Sequence, residues 1–306
     1  MHTHIARSLV LVLAAMAAVA CYAAEPLRWK FEAGEKINYE MIQKMDTTMA
    51  AGPAGSFETG MEQTMDITWH IDEITPEGNA KTRQHIERVR LKMTMPGGQA
   101  TEYDSDSDEA PQGVAAMLAP LYDAMTEGEF KVTMSPRGEI LEAEAPPKLL
   151  EAMKNIPGAA NLGDLSTPDG IKQMIMQGAM TLPEGDLKEG ETWQTNLEMK
   201  TQLGKMEVAT TYEYAGTKEV DGQTYEAIKP APEIKSVADP NAQMQLTMKG
   251  QQADGEILFD REQGRLHSSH LEQTMEMEME IQGQKINTTI DQTVDMKIKD
   301  PESSEK

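Results

Sequence analysis

Apolar and polar residues alternate with a period of two along most of the chain, the pattern of strands that bury one side and wet the other. Ile37, Tyr39, Met41 and Met45 share one face of a first strand, with Asn38, Glu40 and Lys44 opposite. Ile67, Trp69 and Ile71 repeat the rhythm, as do Trp193, Thr195, Leu197 and Met199, then Met206, Val208, Thr210, Tyr212 and Tyr214, then Met244, Leu246 and Met248. The clearest unit is 271–298. Leu271, Met275, Met277, Met279 and Ile281 lie on one face, Gln282 to Lys285 make the turn, and Ile286, Ile290, Val294, Met296 and Ile298 return on the same face. A four-residue loop sets Ile281 opposite Ile286 and Met277 opposite Ile290; a slip by one residue would expose every apolar side chain.

A second hairpin spans 65–93 around the turn signal Thr75-Pro76-Glu77-Gly78-Asn79. Ala80, Thr82, Gln84 and Ile86 face with Trp69 and Ile71, but the parity flips at Val89, Leu91, Met93 and Met95. One extra residue near Glu87-Arg88, a bulge, repairs it.

In the middle the period becomes helical. Val114, Met117, Leu118, Leu121 and Met125 fit one helix, with Pro120 predicting a kink or a break. Pro146 to Ile156 suggests a second. Thr167-Pro168-Asp169 opens a third: an N-cap, proline at the first helical position and an acid in the first turn. The expected class is α+β, predominantly antiparallel β, with curved open sheets or a partial barrel and a helical segment in the middle. The expected organisation is a signal peptide over 1–24, a first β-rich unit over 25–145, a helical connector over 146–183, a second β-rich unit over 184–300 and a disordered tail over 301–306. Weak internal echoes support two related units: Gly34-Glu35 and Gly190-Glu191 each precede a strand, and Gly138-Glu139-Ile140-Leu141 and Gly255-Glu256-Ile257-Leu258 read as two further strand openings.

Composition changes this picture in three ways. Methionine, at 24 of 306 residues, carries much of the apolar load. Lys and Arg number 28 against 51 Asp and Glu, a formal charge of -23, and so acidic a field repels phosphate backbones, which excludes a nucleic-acid partner. A single cysteine excludes a disulfide scaffold and Cys-based zinc or iron–sulfur sites. At the N-terminus Arg7 and the apolar run Ser8 to Ala20 read as a secretory signal, with cleavage after Ala20 or Ala23. Cys21 also ends a lipobox-like stretch in which Ala18 stands where Leu is usual, so Cys21 is a candidate lipidation site. No later apolar run approaches the ~20 residues of a membrane span. The expected location is periplasmic or extracellular, or lipid-anchored in the envelope if Cys21 is acylated.

The opening Leu27-Arg28-Trp29-Lys30-Phe31 with Gly34-Glu35 and Tyr39, and the block Gly255 to Asp260 with Gly264-Arg265-Leu266 and Glu272, resemble an uncharacterised family of bacterial exported proteins. The resemblance implies an exported β-rich domain and supplies no activity.

The candidate chemistry is sparse. Met275, Met277, Met279 and Ile290 form an apolar face suited either to core packing or to an apolar cargo; thioethers are also soft Cu(I) ligands, though a metal needs several of them to converge. On the other side the predicted register sets Glu276 against Asp291 and Glu272 against Asp295, an acidic face open to a basic protein partner or loosely held cations. Asp104-Ser105-Asp106-Ser107-Asp108-Glu109 starts like a calcium loop and then departs from it at Glu109 and Ala115. The predicted register also sets His70 opposite His85 near Asp72, a zinc-like trio. There is no G-x-S-x-G, no G-x-G-x-x-G and no P-loop. The sequence therefore points to no enzyme, no catalytic residue, no cofactor and no metal. It points to an exported binding or structural module of the cell envelope, or to a periplasmic carrier of a lipid or other apolar cargo.

Overall fold

The computed structural model describes residues 25–50, 52, 55–155, 167–201, 204–237, 244–281 and 284–299. The expected signal, Cys21, both cleavage sites and the C-terminal tail lie outside the described residues.

Among the described residues the alternating segments form twelve strands: β1 Lys36–Ala50, β2 Ser56–Ile74, β3 Ala80–Thr94, β4 Ala100–Asp104, β5 Glu129–Met134, β6 Ile140–Glu144, β7 Thr192–Thr201, β8 Gly204–Val220, β9 Gln223–Val237, β10 Met244–Asp260, β11 Arg265–Ile281 and β12 Gln284–Ile298. All join one open antiparallel sheet in the order β6-β5-β3-β2-β1-β12-β11-β10-β9-β8-β7, with β4 paired to the far end of β3. The strands of both expected β-rich units thus share one sheet, stitched by β1 against β12. The class is α+β with β dominant, as the alternation predicts.

Among the described residues three helices accompany the sheet: α1 Gly113–Thr126, α2 Pro147–Asn155 and α3 Pro168–Gly178. Pro120 sits inside α1 without ending it. Thr167 caps α3, its hydroxyl accepting from the Gly170 N–H at 3.0 Å. Helix α3 packs on β6 and β7, the two edge strands, and so bridges the gap between the sheet's ends. Ile175 and Met176 join Val132, Met134 and Ile140 on the β6 side, and the Gln173 amide reaches the Glu198 carbonyl on the β7 side.

The sheet is strongly curved around residues 25–32, which run outside any strand ladder. In a flat sheet β2 and β10, four strands apart, would be about 19 Å from each other. Yet the Trp29 ring lies 6.1 Å from Trp69 of β2 and 5.3 Å from Phe259 of β10. Leu27, Trp29 and Phe31 point alternately into the concave side and join the clusters of both halves. Arg28 and Lys30 point the other way and donate to the carbonyls of Pro183 and Arg261. Two glycines make room for this peg. A Cβ on Gly138, at φ 84°, would lie 2.7 Å from Trp29 Nε1, and one on Gly264, at φ 63°, would lie 2.5 Å from the Lys30 nitrogen.

The bulge expected near Glu87 is present: Asp66 pairs with Arg88 and Ile67 with Ile86, leaving Glu87 extra. The echo of Gly34-Glu35 and Gly190-Glu191 is structural as well. Gly34 donates to Ile71 O and Ile71 to Glu35 O, while Gly190 donates to Tyr214 O and Tyr214 to Glu191 O. The other echo is corrected. Gly138 precedes β6, but Gly255 lies inside β10, where a Cβ would press on Pro230 and the His270 carbonyl.

Both hairpin registers differ from the predicted ones by two residues. Met279 faces Ile286 and Met275 faces Ile290, because β12 already begins at Gln284. Thr68 faces His85 and His70 faces Arg83. A shift of two preserves which side each residue faces, so the alternation cannot sense it.

Candidate functional site

The concave face has two regions. Near the peg it is filled: Ile37, Tyr39 and Ile71 are buried with Phe31, Trp69 and Met296, and Tyr212, Tyr214, Ile228 and Phe259 are buried with Leu27 and Leu182. Helix α1 covers a third patch, setting Ala115, Ala119 and Tyr122 on Met65, Val89, Leu91 and Tyr103. Farther along the same strands the peg and helix α1 no longer lie over the face.

Leu246, Met279 and Ile286 lie side by side across β10, β11 and β12. The next row runs Met248, Met277, Thr288, Met49 and Phe57, and the one after it Gln251, Met275, Ile290, Thr47 and Thr59. Met275, Met277, Met279 and Ile290, the face marked out by the sequence, therefore do share one surface, together with Met248, Met49 and Phe57. All four are only partly buried, and among the described residues none joins a cluster of fully buried side chains. Phe57 is exposed. The three ladder thioethers stand in line along one strand, about 7 Å apart at two-residue spacing.

Between these rows and the filled region lies a polar belt that sequence reasoning missed. Gln43 pairs with Gln63, and Gln273 with Gln292, at positions whose parity assigns them to the apolar face. The signal was present: each glutamine falls in phase with the methionines. Gln251 closes the divergence of β9 from β10, accepting from the Ile234 N–H at 2.8 Å and donating to its carbonyl. Within the rows and the belt two buried polar atoms have no partner: the amide nitrogen of Gln273 and the hydroxyl of Thr288, a residue only 8% exposed. None of the residues in the three rows or the belt is ionisable.

The convex side of the same strands carries the charge, and it is largely self-paired. Glu278 holds Lys285 at 2.9 Å and Lys249 at 3.3 Å, and the Lys285 hydrogen bond keeps its carboxyl below the ordinary range. The expected like-charge oppositions are corrected by the two-residue shift. Glu276 faces Thr289 and Glu272 faces Thr293. Asp291 instead accepts from the Thr274 hydroxyl at 2.6 Å, and Asp295 meets His270 at 2.7 Å.

The zinc-like trio is likewise corrected. His70 and His85 are not opposite; His85 Nδ1 sits 3.1 Å from the Gly128 carbonyl, and Asp72 grips Arg83 at 2.8 and 2.9 Å. In the calcium-like loop Asp104 is held by Arg88 at 2.9 and 2.6 Å. Among the described residues no three His, Cys, Asp or Glu side chains converge as metal ligands. A cleft of about 640 Å³ between β6, α3 and β7 is lined by Arg137, Glu139, Asp169, Lys172 and Thr195, a mixed-charge surface without a nucleophile–base pair. Among the described residues no helix is long and apolar enough to cross a membrane.

Residues 77–266 match a family model described as a family of unknown function, DUF6263. The match takes in more than half of the chain. The chain belongs to DUF6263. No curated protein matches it. Among solved structures it is similar to lipovitellin, seen in a study of lipid–protein interactions, at 15% identity and a TM-score of 0.48 over 89% of this chain. The chain spans only 26% of lipovitellin's length. A Bacteroides fragilis protein with a YmcC-like fold gives 10% identity and a TM-score of 0.28, over 90% of this DUF6263 chain and 100% of its own. Escherichia coli YmcC, described as a hypothetical lipoprotein, gives 11% and 0.21 over 82% and 85% of the two chains.

Proposed function

We propose that this DUF6263 protein is an exported, non-enzymatic binding module of the cell envelope, and that its methionine rows take up an apolar molecule. One observation carries the reading: the rows around Met275, Met277, Met279 and Ile290 continue the sheet's concave apolar face beyond the elements that cover it. Thioether side chains suit such a surface because three rotatable bonds let them follow ligands of different shape. Export rests on the Arg7 and Ser8-to-Ala20 signal pattern, with lipid anchoring through Cys21 as its membrane-bound variant. The segments 25–145 and 184–300 act as one body, since β1 pairs with β12, and helix α3 of the connector 146–183 packs on the edge strand of each.

The test is uptake of a neutral fluorescent apolar probe, N-phenyl-1-naphthylamine, by the processed chain. Enhancement that saturates and falls when Met275, Met277 and Met279 are replaced together by Gln is expected. A flat titration would make the rows the thin core of a structural module and end the carrier reading.

A further inference from the structure

We infer that the cargo of the methionine rows is a neutral acyl compound, an ester or amide, and not a fatty-acid anion. This rests on the carrier reading and narrows it. Two independent features of the concave face lead to it.

The first is the absence of any charge across the rows and the glutamine belt of β10, β11, β12, β1 and β2, in a chain with 28 basic and 51 acidic residues, some of them at alternate positions of these same strands. Every Lys and Glu neighbour of these positions is turned to the convex side by the pleat. A carboxylate laid against this surface would leave water without a cation to meet it, and a buried ion without a partner is strongly disfavoured. A fatty acid would have to bind protonated.

The second is the pair of unpartnered polar atoms. Thr288 sits among Met277, Met49, Ile286 and Ile290, and its hydroxyl has nothing to bond. The Gln273 amide nitrogen is in the same condition at the belt. Both can donate, and a buried donor left unmade costs the desolvation of that group. A ligand oxygen that accepts without carrying charge, the carbonyl of an ester or amide, satisfies a donor and asks for no counter-ion. The two donors lie roughly 13 Å apart along the strands, on either side of the Met275–Ile290 row. A chain lying along β11 and β12 therefore meets one donor at its head and buries its methylenes against the methionines.

The experiment is competition against N-phenyl-1-naphthylamine at about pH 8, with monododecanoylglycerol, dodecanamide and dodecanoate as competitors of one chain length. The neutral pair should displace the probe at a concentration at least about tenfold lower than dodecanoate, which corresponds to ~1.4 kcal/mol of discrimination. Lowering the pH to about 5 should narrow that gap as dodecanoate becomes protonated. In Thr288→Val, an isosteric change that removes only the hydroxyl, the preference for the neutral competitors should shrink while the melting temperature stays level or rises. Equal or tighter displacement by dodecanoate at pH 8 overturns the inference and leaves the carrier reading standing. So does a Thr288→Val chain with an unaltered preference, or one with a lowered melting temperature, which would show the hydroxyl already satisfied within the protein. Failure of the probe to bind at all sinks the carrier reading itself.

Discussion

The two regions of the concave face are built by the same strands in the same alternation, yet they end up in different physical states. Tyr39 and Met49 lie on β1, Trp69 and Phe57 on β2, each pair in phase. Tyr39 is 0% exposed and Phe57 is 41% exposed. Nothing in the strands themselves makes the difference. The peg at 25–32, helix α1 and helix α3 reach one region and stop short of the other. A period-two pattern states that a face avoids water; a separate segment decides whether that face becomes core or remains available to a partner.

The largest expected effect tests that division directly. Trp29 joins both halves of the curved sheet, stacking on Phe31 at 6.0 Å and touching Trp69 and Phe259. Trp29→Ala should cost about 3 kcal/mol in urea denaturation, the low end of the range for removing a large aromatic from a core, because Trp29 is itself only partly buried. Met275→Ala in the partly buried rows should cost about 1 kcal/mol by the same measurement, because its side chain still keeps part of its surface in water. Equal losses at the two sites would mean that the methionine rows are core and that the two regions do not differ.

A smaller effect should come from the anchor that fixes where the peg enters. Glu226, 5% exposed, accepts from the Tyr214 hydroxyl and from Arg261, whose guanidinium also donates to the Glu25 carbonyl. Burial, with the carboxylate beside it, pushes the Tyr214 phenol up to about 12. Arg261→Ala leaves a buried carboxylate without its cation and frees the start of the peg. The expected loss is about 2 kcal/mol, below the usual range for a broken buried pair because Arg261 is itself partly solvated. Faster amide hydrogen exchange at Trp29 and Lys30, with β12 unchanged, would locate the damage at the peg; exchange rising across the whole sheet would contradict an anchor role.

How much of this was legible in the sequence follows from what periodicity can encode. The faces of β1, β2, β11 and β12, the bulge at Glu87 and the Thr167 cap of α3 were all readable, because each depends on local spacing or on a short-range hydrogen bond. The registers were not, since Met275–Ile290 and Met277–Ile290 pairings bury the same side chains and differ only in loop length. That ambiguity alone generated the His70–His85 trio and the Glu276–Asp291 opposition, neither of which exists. The peg was hidden for a different reason. Leu27, Trp29 and Phe31 alternate like a strand, but they make their contacts across the curve of the sheet and not with strand neighbours at ladder spacing. The belt of Gln43, Gln63, Gln273 and Gln292 was visible as polar residues in apolar phase, and acquires meaning only when register brings two pairs together.

The smallest effect concerns the convex side, where the charges behind the methionine rows should matter little to stability. His270 donates toward Asp295 at 2.7 Å with Glu272 at 3.4 Å, and the Asp295 hydrogen bond, followed by the two nearby carboxylates, holds its imidazole above the ordinary 6.5. A raised folded value means that the folded chain binds this proton more tightly than the unfolded one. The pair's contribution is therefore complete below pH 6.5 and fades as the pH climbs through the folded value. Both side chains are nearly half exposed, so solvent and salt screen the interaction and the change in melting temperature across that window should be slight. Site-resolved NMR titration is the sharper measurement: His270 should titrate above 6.5 and fall back toward it in Asp295→Asn. If removing Asp295 instead lowered the melting temperature as far as Arg261→Ala does, the convex charges would be holding the uncovered end of the sheet together, and the concave rows would owe their shape to the opposite face.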